Sequence, residues 1–416
     1  MKFTQLFTKT QKEAPKDEVA KNAQLLIRAG FVYKEMAGVY TLLPLGVRSI
    51  NKLAAIIREE MNAIDGVEMQ SAALQRREVW EPTNRWSDEV VDNWFKTSLA
   101  SGTELGLAFT HEEPLAAMMK SFVSSYKDLP AYPYDIRTVF RNEARAKSGL
   151  MRGREFFWKA LYSFSASEDE HVVFYEQAKQ AYMNVFERAG IGSETFLTFA
   201  SGGSFSKFSH EFQTISEAGE DTVYVDRERG IAVNKEVYTD EVLTELGLNQ
   251  EHLEECRAIE TGNIFTLGTK FSEPAGLLYK NKEGELQPVF MGSYGIGISR
   301  LLGVIAELHS DETGLLWPKS VAPFQVHLVA FGGDDAFAAA HALYIKLTDV
   351  GVEVLYDDRP DARPGQKLAD ADLMGMPLRV VSAPKALQTG GFEVKRRSED
   401  EARIMTAEEL LRQLAG

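Results

Sequence analysis

The sequence predicts an α+β domain over residues 1–316 and a separate α/β domain over residues 317–416. In the first part, helical periods are mixed with stretches of strand alternation. In the second part, strands and helices alternate, which favours a small sheet with parallel pairings. Trp317, Pro318 and Pro323 mark the boundary, because proline interrupts helices and strands.

The elements of the first domain follow from hydrophobic spacing and from capping residues. In the first helix, Ala23, Leu26 and Ile27 recur at helical spacing, and Gly30 stands where a helix would end. Residues 201–260 are rich in Gly, Ser and Glu with weak periodicity, so a small irregular module is expected there. The other predicted elements are helices at 47–64 and 113–126, strands at 134–140 and 156–158, a helix at 168–189, strands at 264–271 and 288–292, and a helix at 297–308.

The second domain has the pattern β-α-β-α-β followed by two further elements. Such alternation is the usual signature of a sheet covered by crossover helices. The predicted elements lie at 326–331, 336–347, 352–356, 366–373 and 378–381, with the two further elements at 392–396 and 408–414.

The composition excludes several classes of protein. The 416 residues are 44% hydrophobic and 26% charged, so the chain can bury a substantial core. A net charge of −15 argues against a protein that coats nucleic acid non-specifically, although a local basic site is compatible with it. Cys256 is the only cysteine, so no disulfide framework and no structural zinc site are expected. Without an apolar leader or an apolar run long enough to span a bilayer, we expect a soluble cytoplasmic protein with no membrane contact.

Two stretches in the first half concentrate polar side chains. Thr110-His111-Glu112-Glu113 by itself predicts only a capping box at a helix start. The second stretch, Phe140-Arg141-Asn142-Glu143, is followed by further cationic residues at Arg145, Lys147, Arg152 and Arg154. In an acidic chain this cluster indicates a polyphosphate or nucleic-acid ligand. An arginine at a strand end can hold a phosphate and a carboxylate together.

Two further stretches lie in the second half. Residues 291–301 place three glycines between an apolar strand and an amphipathic helix, which permits close approach of the backbone to a ligand. Arg300, in that helix, can reach a terminal phosphate. The last stretch runs from Tyr356 through Arg359 and Arg363 to Lys367 and joins a strand to a helix, where open α/β sheets bind ligands.

Taken in this order, the stretches resemble a class II aminoacyl-tRNA synthetase, specifically a prolyl-tRNA synthetase of the bacterial type. The resemblance spans essentially the whole chain. The stretches that carry it are Gln5-Leu6-Phe7, Leu26 to Phe31, Leu43-Pro44-Leu45-Gly46, Thr110 to Glu113, Phe140 to Glu143, Gly149 to Phe156, Leu267 to Lys270, Gly295-Ile296-Gly297 and Ala369 to Leu373.

The resemblance implies a fold and a reaction. The fold is an antiparallel sheet flanked by helices, followed by an α/β anticodon-binding domain. The reaction joins ATP and L-proline into prolyl-adenylate and then transfers the prolyl group to tRNA(Pro). It also implies Mg²⁺ bound with ATP and a homodimer. The catalytic groups would align the carboxylate with the α-phosphate and stabilise developing charge, without a covalent enzyme intermediate.

The resemblance also implies roles for individual residues. Arg141 and Arg300 are the catalytic candidates, because Arg141 matches the arginine that bridges the amino-acid carboxylate and the α-phosphate. The ATP-binding candidates are Arg141, Glu143, Arg152, Phe156, Glu260, Asn263 and Arg300, and Glu260 is also the candidate ligand of Mg²⁺. The proline-binding candidates are Thr110, Glu112, Arg141, Trp158, Tyr162, His210 and Phe265. The tRNA candidates are Arg145 and Lys147 for the acceptor end, and Arg359, Arg363 and Lys367 for the anticodon.

The family's motifs fall at about 43–75 (motif 1), 134–164 (motif 2) and 288–308 (motif 3). Only about 125 residues separate Phe164 from Met291, so the large editing domain of many bacterial members is expected to be absent, with residues 221–255 a reduced remnant. Hydrolysis of mischarged alanyl-tRNA by this chain alone is therefore not expected. The positions that depart from the family's usual residues are Ala72 (proline), Ala160 (aspartate), Asn263 (histidine), Ser293 (cysteine) and Ala362 (glutamate).

Two alternatives remain open at the level of sequence. One is a class II synthetase for threonine or another small amino acid, although threonine specificity usually involves zinc. The other is a synthetase-like paralog that binds tRNA or a partner without activating an amino acid. Such a paralog has no need to keep Arg141, Glu143 and Arg300, and all three are present.

Overall fold

The computed structural model describes residues 1–202 and 208–414. Within this part of the chain, two compact units can be distinguished. The larger consists of residues 36–39 and 53–304, and the other combines residues 1–35, 40–52 and 305–416. The N-terminal segment therefore packs with the C-terminal part of the chain.

Helices and strands are numbered separately in chain order. The first group is α1 (Lys21–Arg28), β1 (Val32–Met36), β2 (Val39–Leu42), α2 (Pro44–Ala63), β3 (Val67–Met69), β4 (Leu74–Arg76), β5 (Lys96–Ser98), β6 (Glu104–Leu107), α3 (Glu112–Met119), β7 (Pro133–Phe140), β8 (Glu155–Ser165) and α4 (Glu168–Ala189). The second group is β9 (Thr195–Ser201), β10 (Phe208–Ile215), β11 (Asp221–Asp226), β12 (Ile231–Asn234), α5 (Asp240–Leu246), β13 (Glu254–Gly268), α6 (Ser272–Ala275), β14 (Leu278–Lys280), β15 (Leu286–Pro288), β16 (Phe290–Gly297) and α7 (Ile298–Leu308). The third group is β17 (Val326–Ala330), α8 (Asp334–Asp349), β18 (Val354–Asp357), α9 (Pro364–Met374), β19 (Leu378–Ser382), α10 (Pro384–Gln388), β20 (Phe392–Arg396), β21 (Arg403–Met405) and α11 (Ala407–Leu414).

A nine-stranded sheet forms the framework of the larger unit, with the order β10-β9-β12-β11-β13-β16-β8-β7-β3. Its central strands β13, β16, β8 and β7 are antiparallel to their neighbours in this set. Parallel pairing occurs between β9 and β12 and between β3 and β7. The predicted antiparallel sheet is thus confirmed.

Alternation along β8 separates the two faces of this sheet. Lys159 and Ser163 point toward α4, where they contact Tyr182 and His171. The intervening residues of β8 must then face the other way, because successive side chains of a strand point to opposite faces. Helix α4 therefore covers one face, and the opposite face is left for the site described below.

The second unit contains a five-stranded sheet of order β18-β17-β19-β20-β21. Strand β17 pairs in parallel with both β18 and β19, whereas β20 and β21 are added antiparallel. Its core includes Leu328, Leu343 and Val380, which are almost fully buried. This arrangement confirms the predicted α/β domain, and the two elements expected after its last parallel strand are β20 and α11.

Helix α4 begins at a side-chain cap, which gives a test of its contribution to stability. The Ser167 hydroxyl accepts a hydrogen bond from the Glu170 backbone N–H at 3.2 Å. Ser167→Ala removes the acceptor and leaves that N–H without its cap, so we expect the free energy of unfolding to fall by about 1 kcal/mol. Urea unfolding measures this, with the exposed Ser121→Ala as the control; equal midpoints for the two variants would contradict the assignment.

Candidate active site

A cavity of about 280 Å³ lies where the loop between β7 and β8 meets β13 and α7. Acidic and basic side chains dominate its wall. The charged and aromatic residues that line it are Arg141, Glu143, Arg152, Phe156, Glu220, Asp221, Glu260 and Arg300. The structure thus brings together six of the seven predicted ATP-binding residues. We call this space the larger cavity.

Arg300 lies in the first turn of α7 and is held there by contacts with two other segments. Its Nε donates to the Met151 backbone carbonyl at 2.9 Å, and its Nη1 donates to the Glu260 carbonyl and, at 3.3 Å, to the Glu260 carboxylate. The Glu260 carboxylate also accepts from the Asn263 amide at 2.7 Å. These bonds fix the guanidinium of Arg300 beside a carboxylate at one end of the larger cavity.

Arg152 lies between two carboxylates in the same cavity. Its Nε and Nη2 donate to Glu143 at 3.1 and 3.0 Å, and its Nη1 donates to Glu220 at 2.6 Å. Burial lowers the pKa of Arg152, but the hydrogen bonds to both carboxylates outweigh it, so its pKa is raised. Glu220 was not predicted from the sequence, because Gly219-Glu220 is not among the stretches that carry the resemblance.

A smaller cavity of about 140 Å³ adjoins the first on the same face of the sheet. Its lining combines polar groups from α3 and its N-terminal flank with aromatic residues of β8 and β13. The residues are Thr110, Glu112, Arg141, Trp158, Ala160, Leu161, Tyr162, Asn263, Phe265, Ser293, Tyr294 and Gly295. Six of the seven predicted proline-binding residues are among them. Asn263, predicted for ATP, lines this smaller cavity instead of the larger one.

Arg141 belongs to both cavities and has no anionic partner in the described part of the chain. Its Nε is buried without a hydrogen-bond acceptor, and its guanidinium carbon lies 5.1 to 5.5 Å from the ring centroids of Phe109, Phe156 and Trp158. Burial, together with repulsion from Arg300, lowers the pKa of Arg141. Glu260, Glu143 and Glu112 offset this only in part, and none of them hydrogen-bonds to Arg141, so this position favours an anionic ligand that reaches both cavities.

The Glu112 carboxylate is the anionic group of the smaller cavity. It accepts hydrogen bonds from the Thr110 hydroxyl at 2.8 Å, from the Tyr162 hydroxyl at 3.0 Å and from Arg85 at 3.1 Å. Burial alone would raise the pKa of Glu112, but the Arg85 charge and the Thr110 hydrogen bond hold it below its ordinary value. The cavity therefore carries a fixed negative charge suited to a ligand ammonium.

Arg85 was missed by the sequence prediction, although it is central to this network. A single nitrogen, Nη1, lies 3.1 Å from both the Glu112 and the Glu113 carboxylates. Glu113 is 2% exposed and also accepts from Thr83 at 2.8 Å. Burial, reinforced by the neighbouring Glu112 charge, raises the pKa of Glu113 to about 7. Glu112 and Glu113 are 27 and 28 residues away from Arg85 in sequence, so no local pattern pointed to Arg85.

Comparisons with known proteins show which family this chain is similar to. Residues 95–309 match the family model for the class II tRNA synthetase core domain of the G, H, P, S and T enzymes, and residues 324–415 match the anticodon binding domain. The proline--tRNA ligase of Hyphomonas neptunium is 35% identical over 100% of both chains. This chain belongs to the proline--tRNA ligase family. The ligase of Caulobacter vibrioides is 36% identical over 99% of this chain and 98% of its own.

Solved structures of the family share the fold. The prolyl-tRNA synthetase of Cryptosporidium parvum, complexed with halofuginone and AMPPNP, matches with a TM-score of 0.77 at 17% identity. That match covers 95% of this chain and 76% of the other. The Giardia lamblia enzyme, in complex with prolyl-adenylate, matches with a TM-score of 0.75 at 20% identity, over 93% and 73% of the two chains.

His210 is the predicted proline-binding residue that the structure does not bring to the smaller cavity. It pairs with Ile264 across β10 and β13, and its Nδ1 is 2.9 Å from the hydroxyl of Tyr175 on α4. Its ring lies 4.8 Å from that of Phe199. His210 therefore faces the helix-covered side of the sheet, because strand alternation places it opposite Phe265.

The predicted tRNA contacts differ in accessibility. Arg145 and Lys147 are exposed on the loop between β7 and β8, and Arg363 is exposed just before α9. Arg359 is engaged by Asp357 at 2.6 Å and by Asp370 at 2.8 Å. Lys367 is fully buried, and its Nζ donates to the Ala330 carbonyl at 2.6 Å. Lys367 therefore lies in the interior of its unit.

The residues of the larger cavity fit a magnesium ion that arrives with a nucleotide. In residues 1–202 and 208–414, no group of three or more His, Cys, Asp or Glu side chains has an arrangement able to hold a metal by itself. Mg²⁺ usually combines one or two protein carboxylates with substrate phosphates and water. Glu260, with its carboxylate in the larger cavity, offers a carboxylate of this kind.

The Glu112 network predicts the effect of neutralising that residue. Glu112→Gln removes the negative charge while keeping similar size, so a ligand ammonium loses a charge-assisted hydrogen bond. We expect the KM for proline to rise by about tenfold or more, with a much smaller change in the KM for ATP. Initial rates of aminoacylation measure both constants, and the exposed Glu89→Gln serves as the control. Equal increases in the two KM values would contradict this assignment.

The raised pKa of Glu113 predicts a pH dependence of stability. Because its folded pKa of about 7 exceeds its ordinary value of 4.5, Glu113 contributes stability that is complete at low pH. That contribution is lost as pH rises from the unfolded toward the folded pKa. We expect wild type to lose stability relative to Glu113→Gln between about pH 4.5 and 7. Urea midpoints across this range measure the difference; parallel profiles for the two proteins would refute it.

Proposed function

We propose that this chain activates L-proline with ATP and joins it to tRNA(Pro) through prolyl-adenylate. The observation that carries the proposal is the position of Arg141, which lines both cavities and has no anionic partner of its own among the described residues. A carboxylate in the smaller cavity and an α-phosphate in the larger one would meet at this guanidinium. The membership of this chain in the proline--tRNA ligase family supports the same reaction.

In the activation step, a carboxylate oxygen of proline attacks the α-phosphorus of ATP. A bond forms between that carboxylate oxygen and the α-phosphorus, the α–β phosphoanhydride bond breaks, and pyrophosphate leaves. Arg141 aligns the two reactants and stabilises charge on the α-phosphate, while Glu112 and Thr110 hold the secondary ammonium. In the transfer step, a hydroxyl of the terminal ribose of tRNA attacks the prolyl carbonyl, and AMP leaves.

The remaining nucleotide contacts follow from the larger cavity. Phe156 provides the ring that stacks on adenine, and Glu143 accepts a hydrogen bond from the adenine amino group. Arg152 and Arg300 neutralise the outer phosphates. Glu260 would hold Mg²⁺, and the ion, when bound, would neutralise charge on the phosphates.

The proposal extends to partners and location. Arg145 and Lys147, exposed on the β7–β8 loop, contact the acceptor end of tRNA, and Arg359 and Arg363 contribute to anticodon binding with Lys367 as a buried support. We also propose a cytoplasmic homodimer. Among the described residues, every helix lacks the length and apolar character required to cross a membrane.

The deciding experiment is amino-acid-dependent ATP–pyrophosphate exchange with purified protein. Proline, alanine, threonine and serine are tested in parallel, with wild type, Arg141→Ala and the control Arg227→Ala. Arg227 is exposed and pairs with Glu254 away from both cavities. We expect proline to drive exchange and Arg141→Ala to lower kcat/KM about a hundredfold or more, because it removes transition-state stabilisation.

Other outcomes point to other functions. Exchange driven best by threonine or serine would contradict proline specificity. No exchange with any amino acid, from folded protein that still binds tRNA, would favour a synthetase-like paralog without activation. Equal activity of Arg141→Ala and Arg227→Ala would contradict the role given to Arg141.

A further inference from the structure

The segment from Phe3 to Thr10 lies along the second unit, beside the residues proposed for anticodon binding; we call it the strap. It starts next to the edge strand β18, where the Met1 carbonyl accepts a hydrogen bond from the Tyr356 N–H at 2.9 Å. Residues 1–35 and 305–416 belong to the same compact unit. The inference drawn from the strap rests on the proposed function, in which this unit binds the anticodon of tRNA(Pro).

Two threonines fix the strap at its two ends. The Thr4 backbone N–H and hydroxyl donate to the Asp358 carboxylate at 3.0 and 2.8 Å. The Thr10 hydroxyl donates to one oxygen of Asp370 at 2.6 Å, and the other oxygen of Asp370 accepts from Arg359 at 2.8 Å. Since Asp358 precedes Arg359 in sequence, the strap runs between two carboxylates that flank this arginine.

The strap also contacts Arg359 directly. Phe3 is 4% exposed, and the centroid of its ring lies 3.9 Å from the guanidinium carbon of Arg359. A guanidinium that packs on a ring and pairs with both Asp357 and Asp370 has little freedom to move. The strap is therefore continuous with the surface proposed to meet the anticodon.

Phe7 is the apolar residue of the strap that the protein leaves uncovered. It is 78% exposed, more than any other large hydrophobic residue in the described part of the chain, whereas Leu6 beside it is buried. Phe7 is three positions from Thr4 and three from Thr10, and three residues of chain span about 11 Å at most. The fixed ends of the strap therefore hold Phe7 in solvent near Arg359.

Charge at this surface favours a nucleic acid over a protein as the ligand. The carboxylates of Asp358 and Asp370 are engaged by the strap, whereas Lys9 on the strap and Arg363 before α9 are exposed. A protein partner would need a contiguous apolar patch, and a single exposed ring does not make one. An aromatic ring beside exposed cations is the combination that binds single-stranded RNA, since the ring stacks on a base and the cations meet the phosphates.

We propose that the strap is part of the tRNA-binding surface, and that the Phe7 ring stacks on an unpaired base of the anticodon loop. Every base has an apolar face, so this contact adds affinity without selecting the base. Lys9 and Arg363 meet phosphates of the same loop. The reading of base edges is left to other side chains, such as Arg359, which the strap holds in place.

The test is a double-mutant cycle between Phe7 and the bases of the loop. Synthetic tRNA(Pro), intact or with one anticodon-loop nucleotide made abasic, is titrated with full-length wild type, Phe7→Ala, Phe7→Trp and the control Ile404→Ala. Ile404 is 44% exposed on β21, at the opposite edge of the same sheet. We expect Phe7→Ala to raise the Kd for intact tRNA about five- to a hundredfold, and Phe7→Trp and Ile404→Ala to stay near wild type. At one abasic position, Phe7→Ala has no further effect, because the stacked base is already missing.

The other outcomes separate this inference from the proposed function. Equal Kd values for wild type and Phe7→Ala, with proline driving ATP–pyrophosphate exchange in wild type, would overturn the inference and leave the proposed function standing. A loss in Phe7→Ala that is the same with every abasic tRNA would exclude stacking and overturn the inference as well. Lack of proline-driven exchange in wild type would remove the proposed function, and with it the assignment of this surface to tRNA(Pro).

Discussion

The period-two alternation of the central strands is the constraint on which the site depends. Along β8, Lys159 and Ser163 are drawn into contacts with α4, and this forces Trp158 and Tyr162 onto the opposite face. Strand β13, which lies beyond β16 from β8, obeys the same rule and adds Phe265 to that face. A helix packed on one side of a sheet thus determines which side chains meet a ligand on the other.

On that face, charge is distributed unevenly between the two cavities. In the larger one, Arg152 and Arg300 are held by carboxylates of the protein, whereas Arg141 is left without one. In the smaller one, Glu112 keeps its negative charge because Arg85 and Thr110 stabilise it. The site therefore has one cation without a hydrogen-bonded carboxylate, where the two cavities meet, and this position favours an anionic ligand.

The sequence predicted those parts in which local and tertiary signals agree. Helix α4 has its predicted bounds because a serine cap, a regular apolar period and a terminal glycine coincide. Residues 208–260 were wrongly expected to be irregular, because β10 to β12 and the start of β13 lie there, whereas residues 203–207 of the same prediction lie outside the described residues. Their alternation is hidden because interior positions such as Ser209, Gln213 and Thr214 are polar and almost fully buried. The cluster around Arg85 and the interior place of Lys367 depend on contacts between distant residues, which no spacing could reveal.

The ion pairs of Arg152 with two carboxylates have a consequence for selectivity among nucleotides. Glu143 and Glu220 already neutralise this arginine, so a phosphate that approaches it must displace a partner instead of filling an empty place. The gain in binding free energy is then the difference between the ion pair formed with the phosphate and the ion pair lost with Glu143 or Glu220. This difference is small for a weakly charged ligand. We therefore expect a triphosphate, with its greater charge, to displace a carboxylate from Arg152 more readily than a monophosphate does. On the proposed function, the cavity would therefore set a threshold for ligand charge, which would help the release of AMP once the amino acid has been passed on.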